Sequence, residues 1–259
     1  MHDELIVREQ DRIAWLTLNR PARRNALTPE LIERLLAELD RIEAAGAARV
    51  VVVTGAPPAF CAGFDIERID SPAGRHAGAE RDIVEALCSR VRRIRVPVIA
   101  QVNGAASGTG CDLAVSCDLR IASSAAKLAM PPARLGVLYS WEGTARLVAT
   151  VGPAAAKELL LTGELVDAAR ALQIGLVHRV VAPDELDRET QQLAEAIAAN
   201  APLSVAASKL MVNHLSDALL DADAVAEIQE ASRAVWASED SQEGPRAFRE
   251  RRPPRFAGR

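Results

Sequence analysis

Apolar positions near the start of the chain alternate, and then they shift to a helical spacing. LIVREQ and RIAWLTLN read as the two strands of a hairpin joined by the polar Gln10 and Asp11. RPARRNALTPE follows as a loop. Thr28 can cap a helix and Pro29 can take its first position, after which Leu31, Leu35, Leu39 and Ile42 form one apolar stripe that stops near Gly46. VVVVTG at 50–55 is short, β-branched and uncharged, which suits a strand covered on both faces. Beyond it the pattern predicts a helix over 80–93, a strand over 97–102, a helix opening near Gly108, and extended pieces near 118–122 and 127–130. This alternation is an α/β order. From residue 142 onward the patterns are helical at 142–151, 153–161, 167–173 and 184–199, and VHRVV is the one strand-like run. The tail over 202–250 reads as helix and ends in ERRPPR, a candidate separate layer or subunit contact.

The chain carries one internal echo. VVVVTGAPPAFCAGFD at 50–65 and PVIAQVNGAASGTGCD at 97–112 each run strand, turn, small residues and Asp. Gly, Ala and Ser leave backbone N–H groups uncovered, so both loops can be approached closely from outside. Two such loops can face one ligand atom.

Composition narrows the partners. At 259 residues the chain can bury a substantial core, as one large α/β domain or a domain with an appendage. A formal charge of −4, mixed along the sequence, argues against nucleic acid. Cys61, Cys88, Cys111 and Cys117 form no CxxC pair and have no histidine at zinc-site spacing. We therefore expect free thiols, no structural metal and a cytoplasmic protein. No apolar stretch approaches the length needed to span a bilayer, and the amino end carries no export-like segment.

Uncovered N–H groups at a helix start favour negative charge. A phosphate site would be one use, but the chain has no GxxxxGK[ST] run, and Gly104, Gly108 and Gly110 lack dinucleotide spacing. The other use is an oxyanion hole, in which one N–H from each loop holds a carbonyl oxygen that becomes an enolate. Packing alone is the competing reading of such loops. None of His2, His76, His178 and His214 pairs with a Ser or Cys in a recognisable motif, so a hydrolase triad has little support.

Five ordered blocks then carry a resemblance over nearly the whole length: NRPARRNAL, VVVTGAPPAFCAGFDI, VPVIAQVNGAASGTGCDLAVSCDLRIAS, PARLGVLYSWEGTARLVATVG and SEDSQEGPRAFRERRPPRF. They resemble the crotonase, or enoyl-CoA hydratase/isomerase, superfamily. The resemblance implies an α/β spiral of ββα units over 1–199 and a helical carboxyl-terminal region over 200–259. That region would make trimer contacts, in a homotrimer or a dimer of trimers. It also implies an acyl-CoA thioester substrate, with coenzyme A as part of that substrate and no separate cofactor. The thioester oxygen would sit between the backbone N–H groups of Phe64 and Thr109. Many relatives carry Gly where Thr109 stands, and Thr keeps the N–H while adding a β-branched side chain.

The implied CoA contacts run through Phe64, Asp65, Ile66 and Glu67, with Ala26 and Ala62 alongside. Arg23 and Arg24 would lie near the phosphates, and Arg251 would reach CoA from the carboxyl end. Hydratases of this kind that use two glutamates place them where Asp112 and Pro132 stand. Asp draws its carboxylate back by about 1.5 Å relative to Glu, and Pro cannot replace the second at all. Glu142 is the nearest carboxylate in sequence to that gap. The dehalogenase chemistry of the superfamily is excluded, because Ser140 stands where its nucleophilic aspartate would be.

PARLGVLYSWEG and IQEASRAVWASEDSQEGPRAF resemble the methylmalonyl-CoA decarboxylase branch more than the two-glutamate hydratases. There the tyrosine matching Tyr139, the chain's one tyrosine, is associated with holding the departing carboxylate. Asp112 would then be a proton or polar-contact residue beside the α-carbon, set among apolar neighbours. The expected activity is stabilisation of a thioester enolate, in decarboxylation of a malonyl-type CoA or in non-standard enoyl-CoA hydration or isomerisation. The alternative is a catalytically silent acyl-CoA-binding protein of the same fold.

Overall fold

A computed structural model describes residues 3–65, 77–217 and 237–255. The chain opens with a hairpin of β1 (Leu5–Gln10) and β2 (Ile13–Leu18). Its turn residues are Asp11 and Arg12, one position later than expected, and both hold positive φ, at 52° and 65°. That geometry matches the twist of the two strands. Helix α1 (Pro29–Ala45) is built as the pattern predicts. Thr28 Oγ1 accepts the Leu31 N–H at 3.2 Å, Pro29 opens the helix, and Gly46 ends it in the left-handed region at φ 63°. Leu31, Leu35, Leu39 and Ile42 are buried against the sheet.

Three successive ββα units follow. In the first, β3 (Val50–Gly55) and β4 (Ala59–Cys61) precede α2 (Ala77–Arg93). In the second, β5 (Val98–Val102) and β6 (Ala105–Ser107) precede α3 (Thr109–Ser116). In the third, β7 (Leu119–Ser123) and β8 (Lys127–Ala129) precede α4 (Trp141–Thr162). The first strand of each unit joins one parallel layer and the second joins another, so the sequence echo is two consecutive turns of one spiral.

The chain ends its core with β9 (Val166–Asp167), α5 (Ala168–Gln173), β10 (Arg179–Val181) and α6 (Leu186–Ala198). The larger sheet has six strands in the order β1-β2-β3-β5-β7-β10, and the smaller has four in the order β4-β6-β8-β9. Both faces of the larger sheet are covered. Leu16, Val51 and Val53 face the main core with α1, while Ile13, Trp15, Val50, Val52 and Ile99 pack against Ala194 and Ala198 of α6. The strands β4, β6 and β9 were not expected from the pattern; they are two or three residues long and are held by partners distant in sequence.

Helix α4 spans the two predicted helices 142–151 and 153–161, which meet at a kink where Gly152 takes φ 75° before Pro153. Two helices of the tail are described, α7 (Pro202–Asp217) and α8 (Glu239–Arg249). Helix α8 lies on the turn Ala133–Leu135, where a methyl group on Gly244 would meet Leu135 O at 1.9 Å. All four cysteines are free and buried, and burial pushes the thiols of Cys61, Cys111 and Cys117 up to about 12. Among the described residues, no helix is long and apolar enough to cross a membrane.

Candidate active site

The two echoed loops meet. A methyl group on Gly63, which holds φ 101°, would lie 2.8 Å from Ser107 O, 3.3 Å from Thr109 Oγ1 and 3.5 Å from Thr109 N. One on Gly110 would lie 2.2 Å from Cys61 O, so the bareness of NGAASGTGCD lets α3 press directly on β4. A third loop braces the pair. Leu27 N–H donates to Gly63 O at 2.8 Å, Asp65 N–H donates to Leu27 O at 2.9 Å, and Ala62 N–H donates to Arg24 O at 2.9 Å. Asn25, fully buried, donates to Ala56 O and Ala59 O and accepts the Arg20 N–H.

Two N–H groups are left over by this bracing. Neither Phe64 N–H nor Thr109 N–H donates to another described residue. Thr109 is the first residue of α3, and the Gly108 before it offers no side-chain cap. The helix therefore presents its positive end uncapped. At its other end Arg120 donates to Ala114 O, Val115 O and Cys117 O, the last at 2.6 Å, which satisfies the terminal carbonyls and fixes the helix axis.

One turn into α3, Asp112 is buried, but among charges rather than apolar groups. Its Oδ2 and Oδ1 accept from Arg146 Nη2 at 3.0 Å and Nε at 3.3 Å. The same guanidinium donates to Glu85 Oε1 at 2.7 Å and Oε2 at 2.8 Å. Arg146 and Asp112 side chains are 4% and 3% exposed, so the pair is dry, while Glu85 keeps contact with water at 24%. Burial alone would lower the Arg146 guanidinium, but the Glu85 hydrogen bonds and the Asp112 charge outweigh it and hold it well above its ordinary value. The Cys88 thiol lies 3.7 Å from Asp112 Oδ2. Loss of solvent, and after it the Asp112 charge, pushes that thiol well up.

Gly143 closes the network. A methyl group there would stand 3.0 Å from both Asp112 Oδ2 and Ser140 Oγ. Residues 8–259 match the model of a family described as enoyl-CoA hydratase/isomerase. This protein belongs to that family. It is 36% identical to 2,3-dehydroadipyl-CoA hydratase of Escherichia coli strain K12 over 99% of each chain. It is 35% identical to short-chain-enoyl-CoA hydratase of Clostridium acetobutylicum over 96% of each. Among solved structures it superposes on methylmalonyl-CoA decarboxylase in complex with 2-nitronate-propionyl-CoA with a TM-score of 0.92, at 31% identity and with 100% of both chains covered. It is an enoyl-CoA hydratase-like enzyme with the crotonase-type ββα spiral.

Within this hydratase/isomerase family member, Pro132 is buried at the head of the Ala133–Leu135 turn and offers no carboxylate. Glu142 is exposed on the first turn of α4, with its neighbour Gly143 rather than Glu142 itself facing Asp112. Ser140 Oγ caps α4 by accepting the Gly143 N–H at 2.9 Å. Tyr139 is half-buried, and its hydroxyl would stand 3.3 Å from a methyl group on Gly108, directly before the start of α3. Loss of solvent, and after it the Asp112 charge, lifts the hydroxyl well above the ordinary tyrosine range, so at neutral pH it is a neutral donor.

Of the residues expected to contact CoA, Arg23 and Arg24 are exposed on the turn that braces the loops, and Ala62 is exposed beside them. Ala26 is nearly buried, and its carbonyl accepts from Arg20 Nη1 at 2.6 Å. The Asp65 carboxylate is taken by Arg20 Nη2 at 3.2 Å. Ile66 and Glu67 lie outside the described residues. Arg251 is exposed just past α8, and its N–H bonds locally to Phe248 O. The structure thus gathers Ala26, Ala62, Phe64, Asp65, Thr109, Asp112 and Tyr139 around the two loops. Arg146 and Glu85 were missed from sequence. Arg146 is the one charged residue of the run TARLVATVG, which by itself does not tell an inward arginine from a solvated one.

Proposed function

We propose that this protein decarboxylates a malonyl-type acyl-CoA, with the thioester enolate held by the backbone N–H groups of Phe64 and Thr109. The observation that carries this reading is that these two donors, on loops packed against each other, have no acceptor among the described residues. In the reaction the bond between Cα and the substrate carboxylate breaks and its electron pair passes to the thioester, whose oxygen becomes the anion. Carbon dioxide leaves, and a proton from solvent completes the product at Cα. Each preorganised N–H contributes about 3 kcal/mol to such a transition state.

This chemistry needs an oxyanion hole and an oriented carboxylate but no general base, and that agrees with the side chains present. Asp112 has both oxygens engaged by Arg146, position 132 is proline, and Glu142 is exposed. Tyr139, a neutral donor beside Gly108, is suited to hold the departing carboxylate. The structural likeness to methylmalonyl-CoA decarboxylase favours the same reading. Arg23, Arg24 and Arg251 are the cations for the CoA phosphates, Ala26, Ala62 and Asp65 line its path, and Ile66 and Glu67 are proposed as further CoA contacts from the resemblance alone. No cofactor beyond the CoA of the substrate is needed. The exposed Leu203, Leu210, Met211, Val212 and Leu215 of α7 suit a contact between copies in a homotrimer.

The second reading, enoyl-CoA hydration, is favoured by the sequence identity to the two hydratases. The test is incubation with methylmalonyl-CoA, malonyl-CoA and crotonyl-CoA, following carbon dioxide release and loss of enoyl absorbance. Carbon dioxide release that falls in Tyr139→Phe supports decarboxylation. Crotonyl-CoA turnover that persists in Tyr139→Phe and vanishes in Asp112→Ala would sink it. Tight CoA-ester binding without turnover of any of the three would point to the binding protein instead.

A further inference from the structure

Thr109 carries an anomaly that the backbone reading does not use. Its Oγ1 is fully covered and has no hydrogen-bond partner among the described residues, although the residue as a whole keeps contact with solvent. A buried hydroxyl without a partner destabilises the folded protein, and Val would fill the same shape without that cost. The hydroxyl stands 3.3 Å from a methyl group built on Gly63, the residue before Phe64, and the same methyl group would lie 3.5 Å from Thr109 N. A rotation of about 120° about Cα–Cβ carries the hydroxyl into the position the methyl held and the methyl into that of the Cβ hydrogen, and threonine at helical positions populates two rotamers.

We propose that the Thr109 side-chain hydroxyl is a third hydrogen-bond donor to the thioester oxygen, turned toward it when an anion develops between Phe64 N–H and Thr109 N–H. The proposal rests on the enolate reading above. It explains why a hydroxyl with no partner among the described residues is present there at all. The hydroxyl costs stability in the free enzyme and is satisfied only against the anion, which is the condition for an interaction that lowers the barrier rather than merely tightening substrate binding. No proton is transferred; the hydroxyl donates a hydrogen bond and keeps its hydrogen.

The test compares full-length wild type with Thr109→Val and Thr109→Ser in thermal melting, in turnover of methylmalonyl-CoA and in calorimetric binding of 2-nitronate-propionyl-CoA. Thr109→Val keeps the backbone N–H and the shape. It should melt at or above the wild-type midpoint, lose about tenfold to a hundredfold in kcat with little change in KM, and bind the nitronate more weakly by a similar factor. Thr109→Ser should restore both activities. A valine variant with wild-type kcat and nitronate affinity would overturn the role of the hydroxyl alone. So would a valine variant that melts clearly lower, because the hydroxyl would then be structural. Failure of the wild type to bind the nitronate would overturn the enolate reading, and the hydroxyl's role with it.

Discussion

Arg146→Met removes the guanidinium that joins α2, α3 and α4. Four hydrogen bonds go with it, two to Asp112 at 3.0 and 3.3 Å and two to Glu85 at 2.7 and 2.8 Å. Glu85 can turn to water, but Asp112 cannot: its side chain is 3% exposed, and its remaining side-chain hydrogen bond among the described residues comes from the weak Cys88 donor at 3.7 Å. Stranding one buried partner of an ion pair costs about 3–5 kcal/mol. Most of that falls on Asp112, so we take about 3 kcal/mol, which for a chain of this size lowers the melting midpoint by about 6–12 °C. Circular dichroism melts at matched protein concentration measure it. The double variant Asp112→Asn with Arg146→Met carries no stranded charge there and should recover at least half of the loss. Arg146→Met within about 1 kcal/mol of wild type would refute the reasoning, as would a double variant no better than the single one.

Other expectations follow from single contacts. Gly63→Ala forces a methyl group to 2.8 Å from Ser107 O at a φ of 101°, so it should cost about 1–3 kcal/mol in stability and abolish turnover by spreading the two loops. Tyr139→Phe should keep CoA-ester affinity and lower kcat for malonyl-type substrates by about tenfold or more, read from carbon dioxide release. His178 Nδ1 accepts the Arg120 N–H at 3.1 Å, and burial, then the Arg120 charge, holds its pKa below the ordinary 6.5. Its contribution is therefore complete above 6.5 and is lost as the pH falls below that value, so the melting midpoint should fall less steeply on acidification in His178→Asn.

Helix α1 was legible because each of its signals is local: the Thr28 cap, the Pro29 start, the four-residue spacing of its buried side chains and the Gly46 stop. The kink in α4 was legible for the same reason, since Gly152 and Pro153 act on their own backbone. Strands β4, β6 and β9 were not, because runs as short as Ala105–Ser107 become strands only through pairing with segments far along the chain. Of the candidate site, the paired loops showed as an internal echo, and the resemblance supplied their suggested use. What Asp112 touches was hidden. The aspartate is one turn past the bare loop as expected, but its partner comes from α4, and nothing in TARLVATVG says that the arginine turns inward to meet two carboxylates.

In the proposed reaction an enolate oxygen sits between the N–H groups of Phe64 and Thr109. The most direct test of that placement is a crystal structure of the protein with 2-nitronate-propionyl-CoA, a ligand already captured on a structurally similar decarboxylase. The account requires one oxygen of the ligand, at the thioester end, to lie about 2.7–3.2 Å from both nitrogens, with the Tyr139 hydroxyl facing the nitronate. A ligand bound with that oxygen away from either nitrogen, or with the nitronate turned to Asp112 instead of Tyr139, would contradict it.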